Sequence, residues 1–429
     1  MDELLWNGRI IDPATGTVIE HGALRIADGR IIDLGEASGP PPDGARDLGG
    51  AAVLPGLIDV HSHVLSDLGR SPGFGPPPPL HGEDPRPREL GFFILNQSAE
   101  AFVDAGITTV RDVGSFDDEA IVLRTAIELG LSRGPRLRTC GRIISATAPG
   151  TRIFGTMYHE ADGPWAMRQA VRENLKRGAD FIKFMSTGAR SVERENPEPA
   201  QMTREEISAL IDEAHRLGLR VAAHAEGLEG TRWAVLEGVD TVEHGFALHR
   251  EPELLDHMVE HGQVLVPTLT TFHDLAERFA HLFAPTLVEQ AKRQLQEAYL
   301  TLEAARAAGV TFAMGYDSGP PGCQMWEAQR LAAGGLGTMA ALRAATLGGA
   351  LALGIDDIGR LAPNAMADLI VVDGDPLADI RVLLKPNRIL RVYRGGVALG
   401  GSEISGRRDD GDDAVLPSGP PSPCCMPTG

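Results

Sequence analysis

Two histidines two residues apart, His61 and His63, follow a largely apolar run at residues 53–60. Successive side chains of an extended strand point to opposite faces, so His61 and His63 would share one face. Two imidazoles on one face at the end of a strand could provide half of a metal site. They could equally be ordinary polar residues that follow a buried strand. The choice between these interpretations depends on whether the chain supplies further ligands at matching positions.

Four more segments of strand character carry a ligand-type residue near their ends, namely Lys183, His224, His244 and Asp317. A lysine within an apolar strand is costly unless it is paired or modified. A buried lysine of low pKa is a nucleophilic amine, which carbon dioxide could convert to a carbamate. Alternatively, Lys183 could form a structural salt bridge, and the two histidines could bond to backbone in the core. Because five strand ends carry such residues, we favour a shared metal site.

Between His61 and Asp317 the chain alternates strand-like runs with segments of helical period. The eight runs lie at residues 57–60, 108–113, 137–144, 181–184, 220–223, 241–242, 264–266 and 311–314. Eight strand–helix units over about 250 residues predict an α/β fold of the (β/α)8 TIM barrel type, with functional side chains at the C-terminal ends of the strands. A doubly wound sheet is the alternative, but it would place ligands at a single crevice rather than on every other strand.

Local signals set some boundaries of these elements. Thr203 and Glu206 form a capping box that opens a predicted helix over residues 207–217, which Gly218 closes. Near the N-terminus, Asn7-Gly8 and Asp28-Gly29 are hairpin turn signals between short β segments. A sheet this small does not stand alone, so it needs strands from elsewhere.

The β-rich segments at residues 367–373 and 388–394 could supply those strands. We therefore predict a small β-sandwich domain made from the N- and C-terminal segments. The predicted division is residues 1–54 and 356–400 for the sandwich, 55–355 for the barrel and 401–429 for a disordered tail. A Pro-rich loop at residues 71–88 would follow the first barrel strand, where substrate loops tend to lie.

Composition excludes several classes of partner. The net charge is −19, from 40 Lys and Arg against 59 Asp and Glu, so neither nucleic acid nor an anionic membrane is expected. We expect no signal peptide and no membrane span, since no apolar stretch approaches ~20 residues. The cysteines, Cys140, Cys323, Cys424 and Cys425, form no Cys-x-x-Cys pair. Cysteine-bound zinc and a disulfide framework are therefore not expected, and a cytoplasmic location is predicted.

These motifs together resemble the metal-dependent amidohydrolase superfamily. The resemblance rests on Pro-Gly-Leu-Ile-Asp-Val-His-Ser-His at residues 55–63, Phe-Ile-Lys at 181–183, His-Ala-Glu-Gly at 224–227, Val-Glu-His-Gly at 242–245 and Tyr-Asp-Ser-Gly at 316–319. The strand-four lysine and the segment at 205–218 are similar to the Xaa-Pro dipeptidase and ochratoxinase branch, close to imidazolonepropionase-like proteins. The resemblance extends to about residue 400 and includes the closing segment at 359–376.

The resemblance implies a binuclear metal centre. In such a centre, His61, His63 and Asp317 would bind the more buried divalent ion and His224 and His244 the second, with N6-carboxylated Lys183 bridging both. Zinc is the expected element because N/O ligands suit it, with manganese, cobalt and iron as alternatives. The two ions would share a hydroxide nucleophile, and Asp317 would pass its proton to the leaving nitrogen. The resemblance also implies a homo-oligomer.

The substrate pocket departs from the family pattern. A Gly-Gly-His-Gly phrase with a substrate-binding histidine is replaced by Ser-Ala-Thr-Ala-Pro-Gly at residues 145–150. His-Ala-Glu stands where His-Ala-His is commoner, and a tyrosine replaces the usual threonine before the last aspartate. We therefore expect the metal chemistry to be kept and substrate recognition to be altered. The candidate substrate-binding residues are Arg152, Tyr158, His159, Glu226 and Tyr316.

The predicted function is hydrolysis of an amide or peptide-type C–N bond in a dipeptide, an N-acyl amino acid or a modified peptide. One alternative is a tailoring amidohydrolase that trims a modified peptide, as in bottromycin-type biosynthesis. A second is a mononuclear deaminase or cyclic-amide hydrolase, although these usually lack the strand-four lysine. A third is an inactive scaffold of the same fold, against which the complete set of ligand-type residues argues.

Overall fold

The structure is a computed structural model that describes residues 2–64, 90–189, 194–278, 280–317 and 321–405. The Pro-rich loop predicted at residues 71–88 lies outside the described residues, as does the predicted tail from residue 406 onward. The described start of that segment, Ser402–Ser405, forms a short helix, in which Glu403 pairs with Arg391 at 2.6 Å, and the disordered tail stays a prediction. No described helix is both long and apolar enough to cross a membrane.

The described strands are numbered in chain order. They are β1 (Asp2–Asp12), β2 (Thr17–Ala27), β3 (Arg30–Glu36), β4 (Arg46–Asp47), β5 (Ala52–Pro55), β6 (Leu57–Ser62), β7 (Ile107–Asp112), β8 (Arg136–Thr139), β9 (Ile143–Ser145), β10 (Tyr158–Glu160), β11 (Ile182–Met185), β12 (Val221–Ala225), β13 (Thr241–His244), β14 (Val264–Val266), β15 (Thr311–Phe312), β16 (Leu369–Val372), β17 (Ile389–Arg394) and β18 (Val397–Gly400).

The α-helices are numbered in the same way. They are α1 (Leu90–Asp104), α2 (Glu119–Glu128), α3 (Pro149–Phe154), α4 (Pro164–Arg177), α5 (Arg204–Arg216), α6 (Leu228–Leu236), α7 (Pro252–Glu260), α8 (Leu269–His273), α9 (Pro285–Ala308), α10 (Met325–Leu331), α11 (Thr338–Arg343), α12 (Gly349–Leu353) and α13 (Ser402–Ser405).

Strands from both ends of the chain form one eight-stranded sheet. Its order is β18-β17-β16-β5-β1-β2-β3, with β4 beside β1. The link between the two ends is β5, which pairs parallel with β1 and antiparallel with β16. Apolar side chains from both ends, such as Leu5, Val53 and Leu369, are buried in one cluster. The two ends therefore associate as expected, while their division into a β-sandwich domain stays a prediction.

The turn predicted at Asn7-Gly8 is wrong, since β1 continues through both residues. Asn7 adopts a φ of 56°, and the pairing of β1 with β2 shifts register between Leu5 and Gly8. The left-handed residue is thus absorbed as a bulge inside a long strand, a role that Asn tolerates better than most residues. The second signal, Asp28-Gly29, does separate β2 from β3.

The central strands are parallel and fall into two sheets, β6-β7-β8 and β10-β9-β11-β12-β13-β14-β15. Backbone hydrogen bonds connect the two sheets at both sides. The N–H of Val60 donates to the carbonyl of Met314 at 3.0 Å, and the N–H of Asp180 donates to that of Thr139 at 2.8 Å. From β11 to β15 the strands lie in chain order, without the order reversal of a doubly wound sheet.

The strand predicted over residues 137–144 is wrong in one respect, because it is interrupted between β8 and β9. Gly141 has a φ of 65°, a left-handed conformation that breaks an extended ladder. The Thr139 hydroxyl stabilises this turn, because it accepts the N–H of Gly141 at 3.0 Å and donates to buried Asp112 at 2.7 Å.

Helix signals and strand periodicity explain which side chains face the centre. The capping box of Thr203 and Glu206 opens α5 as predicted, an arrangement that contributes about 1 kcal/mol.

Alternate strand residues such as Ile182, Phe184 and Val221 pack outward against the helices in one apolar cluster. The residues between them therefore point to the inner side of the strands.

Candidate metal centre and pocket

Six residues singled out in the sequence line one pocket. Its atom-free volume is about 530 Å³, which includes space open to solvent. These residues are His61, His63, Lys183, His224, His244 and Asp317. The strands β6, β11, β12 and β13 carry His61, Lys183, His224 and His244 in that order, while His63 follows β6 and Asp317 follows β15. Because parallel strands end on the same side, side chains that are far apart in sequence converge there.

The first cluster joins His61, His63 and Asp317. The Nε2 atoms of both histidines lie 3.5 Å from Oδ1 of Asp317. Their Nδ1 atoms face acceptors, with Glu243 Oε2 at 2.6 Å from His61 and the Gly114 carbonyl at 2.8 Å from His63. Nδ1 therefore carries the hydrogen, and in the neutral ring Nε2 offers a lone pair towards the carboxylate. Lone pairs that converge on a carboxylate suit a cation.

The second cluster joins His224 and His244. Nδ1 of His224 lies 2.9 Å from Nε2 of His244. The Thr268 hydroxyl donates to the Pro267 carbonyl at 2.8 Å, so it accepts from Nδ1 of His244 at 2.7 Å. Nε2 of His224 faces the Gly188 carbonyl at 3.2 Å. If both rings are neutral, both facing nitrogens carry lone pairs, which repel at this distance unless they share a proton or a metal cation.

The charge states of these residues fit such an ion. Burial and the neighbouring His224 and His61 hold the pKa of His244 well below its ordinary value, so its imidazole is neutral. Burial alone would raise the pKa of Asp317, but His61 and His63, when they are protonated, hold it well below the usual range by their charge and hydrogen bonds. A metal ion in place of those protons would lower it in the same way. Ligating atoms of His61, His244 and Asp317 all lie within 4.8 Å of one another. Neutral imidazoles and an ionised carboxylate are the protonation states that metal binding requires.

Lys183 lies on β11, lines the same pocket as both clusters and is fully buried. Burial lowers the pKa of its amine from the ordinary value, against the attraction of Glu243. A neutral amine is the form that reacts with carbon dioxide, and the resulting carbamate would be an anionic oxygen ligand. The residue thus fits a bridging role between two cations.

Two ligand-type residues depend on an unusual backbone. His244 has a φ of 70° and Asp317 a φ of 62°, a region in which non-Gly residues are uncommon and which clusters at functional sites. Asp59 fixes this edge, because its Oδ1 accepts the N–H groups of His61 at 3.1 Å and Tyr316 at 3.2 Å. Gly315 permits the close approach of the two segments, since a Cβ there would lie 2.5 Å from the Cβ of His61.

A buried ion pair behind His61 was not predicted from the sequence. Arg111 donates from Nη2 to Glu243 Oε1 at 2.7 Å, while the other oxygen of Glu243 accepts from His61. Burial would raise the pKa of Glu243, but Arg111 and His61 lower it far below the ordinary value. This carboxylate therefore stays ionised and orients the imidazole of His61. The available signal was a charged residue inside each of two apolar strands.

We expect Glu243→Gln to weaken metal binding at His61 by about 10- to 100-fold, because the uncharged amide orients the imidazole less well. The same change would lower the free energy of unfolding by about 3 kcal/mol, since Arg111 would remain buried without its carboxylate. Titration of metal-free protein with zinc and denaturant unfolding measure the two effects.

The matched control is Glu289→Gln, which removes an exposed ion pair with Lys292. This variant should bind metal and unfold like the unmodified protein. Equal metal affinity in the Glu243 and Glu289 variants would contradict the orienting role of Glu243.

Two of the five candidate substrate residues, Tyr158 and Glu226, line the pocket. Glu226 lies with Oε1 at 3.1 Å from His224 Nε2, and its other oxygen accepts from Gln294 at 2.9 Å. The hydroxyl of Tyr158 contacts the sulfur of Met185 at 3.6 Å. Both residues therefore lie in the pocket beside the metal-ligand candidates, and their contact with a substrate stays a prediction.

The other three candidates, Arg152, His159 and Tyr316, are not among the residues that line the pocket. Arg152 is exposed on α3. His159 follows Tyr158 in β10 and so points to the other face, where Glu173 lies 3.5 Å away. Tyr316 is buried beside Cys323 and Asp274. Their proposed contacts with substrate receive no support from this placement.

Comparison with known proteins connects this pocket to a family. The Amidohydrolase family model matches residues 52–399. The chain is 28% identical to ochratoxinase of Aspergillus niger over 446 residues, which covers 96% of this chain and 90% of that protein. The expected resemblance to the ochratoxinase branch is thus confirmed.

Two solved structures are similar over nearly their whole length. One is a Xaa-Pro dipeptidase with methionine bound in the active site, at 30% identity and a TM-score of 0.81, covering 93% of this chain and 99% of that one. The other is a prolidase complexed with N-methylphosphonate-L-proline, at 29% identity and a TM-score of 0.81, covering 94% and 100%. This likeness gives the chain a TIM-barrel-type α/β fold.

Proposed function

This chain belongs to the amidohydrolase family and is a hydrolase of carbon–nitrogen bonds, and we propose that it cleaves an amide or peptide-type bond at a binuclear metal centre. The observation that carries the proposal is the pair of facing nitrogens of His224 and His244, 2.9 Å apart, near a second cluster around Asp317. The cluster around Asp317 offers two imidazoles and a carboxylate to one cation, and the pair of His224 and His244 offers two imidazoles to another. Buried Lys183 lines the same pocket.

We assign the ligand-type residues to two divalent ions. His61, His63 and Asp317 would hold one ion, His224 and His244 the other, and carboxylated Lys183 would contact both. When bound, the ions supply Lewis acidity that activates a water and polarises the scissile carbonyl. Zinc suits this mixed set of imidazole and carboxylate ligands.

Asp317 is the group that would move the proton. Positive charge beside it, from protonated His61 or from a bound ion, holds the pKa of Asp317 well below its usual range, so the carboxylate is ionised at neutral pH and can accept a proton from the attacking water. It then gives that proton to the leaving nitrogen as the C–N bond breaks, which balances the hydrolysis. Carboxylated Lys183 would be an anionic ligand on the inner side of β11. It would carry no acidic proton, so it would not act as the proton donor.

The walls of the pocket indicate the type of substrate. Apolar side chains of Ile143, Phe154, Met157, Met185 and Leu275 line it beside the metal-ligand candidates. Such walls favour a substrate with an apolar side chain next to the scissile bond. The similar Xaa-Pro dipeptidase and prolidase structures support a peptide-type substrate.

A substrate panel tests this assignment. We expect the zinc-loaded protein to hydrolyse apolar Xaa-Pro dipeptides or N-acyl amino acids, detected as release of the free amine, and not to hydrolyse matched polar analogues at the same rate. Turnover of larger heterocycle-containing peptides without turnover of dipeptides would instead favour the tailoring role. Deamination of a small heterocycle with one metal ion per chain would favour the mononuclear alternative.

Metal removal gives an independent prediction. Dialysis against a chelator is expected to abolish hydrolysis, and added Zn²⁺ or Mn²⁺ to restore it. The reason is that the proposed reaction needs the ions that the side chains of this one pocket would bind. Elemental analysis of the restored protein should find two ions per chain. Full activity of the metal-depleted protein would refute the proposed centre.

A further inference from the structure

A second pocket does not include any of the metal-ligand candidates. Its atom-free volume, which includes space open to solvent, is about 780 Å³. Four arginines line it, namely Arg124, Arg136, Arg138 and Arg394. Arg136 is the first residue of β8, whereas the metal-ligand candidates lie where the strands end. Apolar side chains, including Ile127 and Met366, complete the walls. In a chain with a net charge of −19, this concentration of guanidinium groups runs against the overall charge.

Neighbouring carboxylates neutralise three of the four guanidinium groups. Asp180 accepts from Arg124 at 2.5 Å and from Arg138 at 3.1 Å. Asp368 accepts from Arg136 at 3.1 Å. A third carboxylate, Glu128, also lines the pocket and lies 3.9 Å from Nε of Arg124. Three carboxylates thus face four arginines, so one positive charge remains in excess at this wall.

The guanidinium of Arg394 differs from the other three in its partners. It donates to the Gly134 carbonyl at 2.5 Å, but no carboxylate of the described part of the chain forms an ion pair with it within 4.0 Å. Burial and the like charge of Arg136 lower the pKa of Arg394, with Asp368 opposing them. Nε of Arg136 is also buried without a hydrogen-bond partner. Two crowded, half-desolvated cations with spare donors are a costly arrangement that an anion would relieve.

We propose that this arginine pocket binds a phosphate group, either free or as the ester of a small apolar molecule. Arg394 and Arg136 would supply the planar hydrogen-bonding fork that matches phosphate oxygens. Ile127 and Met366 would contact the body of an ester. Because Arg136 belongs to β8 and Arg394 to β17, the bound anion would also join the parallel strands to the terminal sheet.

The test is calorimetric titration of the full-length, zinc-loaded protein with inorganic phosphate and with phenyl phosphate, each at matched ionic strength. We expect saturable binding that Arg394→Gln weakens at least tenfold, a loss of about 1.4 kcal/mol. Tighter binding of phenyl phosphate would identify an ester as the ligand, and equal binding would identify free phosphate. Arg388→Gln, which removes an arginine paired with Asp373 on the surface, should bind as the unmodified protein does.

Two further variants keep the test decisive. Phosphate could also bind at the metal centre, and His61→Asn should remove that binding while leaving the Arg394-dependent binding intact. If Arg394→Gln fails to fold, Arg138→Gln at the partly exposed rim should still weaken binding severalfold. Absence of saturable binding, or binding that His61→Asn abolishes and the arginine variants leave unchanged, would overturn the proposal.

Discussion

Asp317→Asn is expected to reduce kcat by about a thousandfold, within the range of 10²–10⁴ for loss of a positioned acid–base group. The asparagine keeps the shape of the side chain but can neither accept the proton of the attacking water nor carry the charge that a metal ion requires. In this structure Asp317 is the carboxylate that both His61 and His63 face, at 3.5 Å from each Nε2 atom. No other described position places a carboxylate oxygen against both imidazoles.

Steady-state kinetics on the substrate identified from the panel, together with elemental analysis, measure this effect. Asp43→Asn, in an exposed loop segment, is the matched control and should retain kcat and metal content. If Asp317→Asn kept the activity of the control, Asp317 would not be the proton carrier, and the inactive-scaffold alternative would regain weight.

Lys183→Met is expected to lower kcat/KM at least a hundredfold while leaving the protein folded. Methionine has nearly the volume of the buried lysine and packs in the same interior, but it cannot form a carbamate. Since burial disfavours the charged amine of Lys183, removing it should not destabilise the core. The loss would therefore arise from the missing bridging ligand rather than from unfolding.

Carbon-13 NMR tests the modification directly. Protein reconstituted with zinc and ¹³C-bicarbonate should show one carbamate resonance that is absent from Lys183→Met. Lys176→Met, which changes an exposed lysine of α4, should keep both the resonance and the activity. A fully active Lys183→Met protein with two bound ions would contradict the bridging role.

Periodicity made much of the site predictable. His61 and His63 share a face because they are two residues apart in an extended segment, and Lys183 points inward because Ile182 and Phe184 pack outward. The same signals placed most strands within a few residues, although Gly141 interrupts the third. The resemblance of the short motifs then indicated which residues belong to one centre.

Contacts between distant segments were not predictable in this way. Arg111 and Glu243 are separated by 132 positions, and nothing local in either strand indicates that the other lies beside it. His159 and Tyr316 were equally attractive as substrate residues, yet the strand face of one and the packing of the other direct them away from the pocket. The arginine pocket draws on β8 and β17, whose adjacency follows only from the association of the two chain ends.

The sequence by itself determined the ligand-type residues, the strands that carry them and the face on which most of them lie, because backbone geometry repeats every two residues in a strand. Only the tertiary structure decided that His224 and His244 face each other at 2.9 Å, that Glu243 contacts His61, and that Arg394 lines one pocket with three arginines distant in sequence. Those relations depend on how strands align and where the backbone turns left-handed, as at His244 and Asp317. Such alignment is set by packing across the whole fold, which no local pattern specifies.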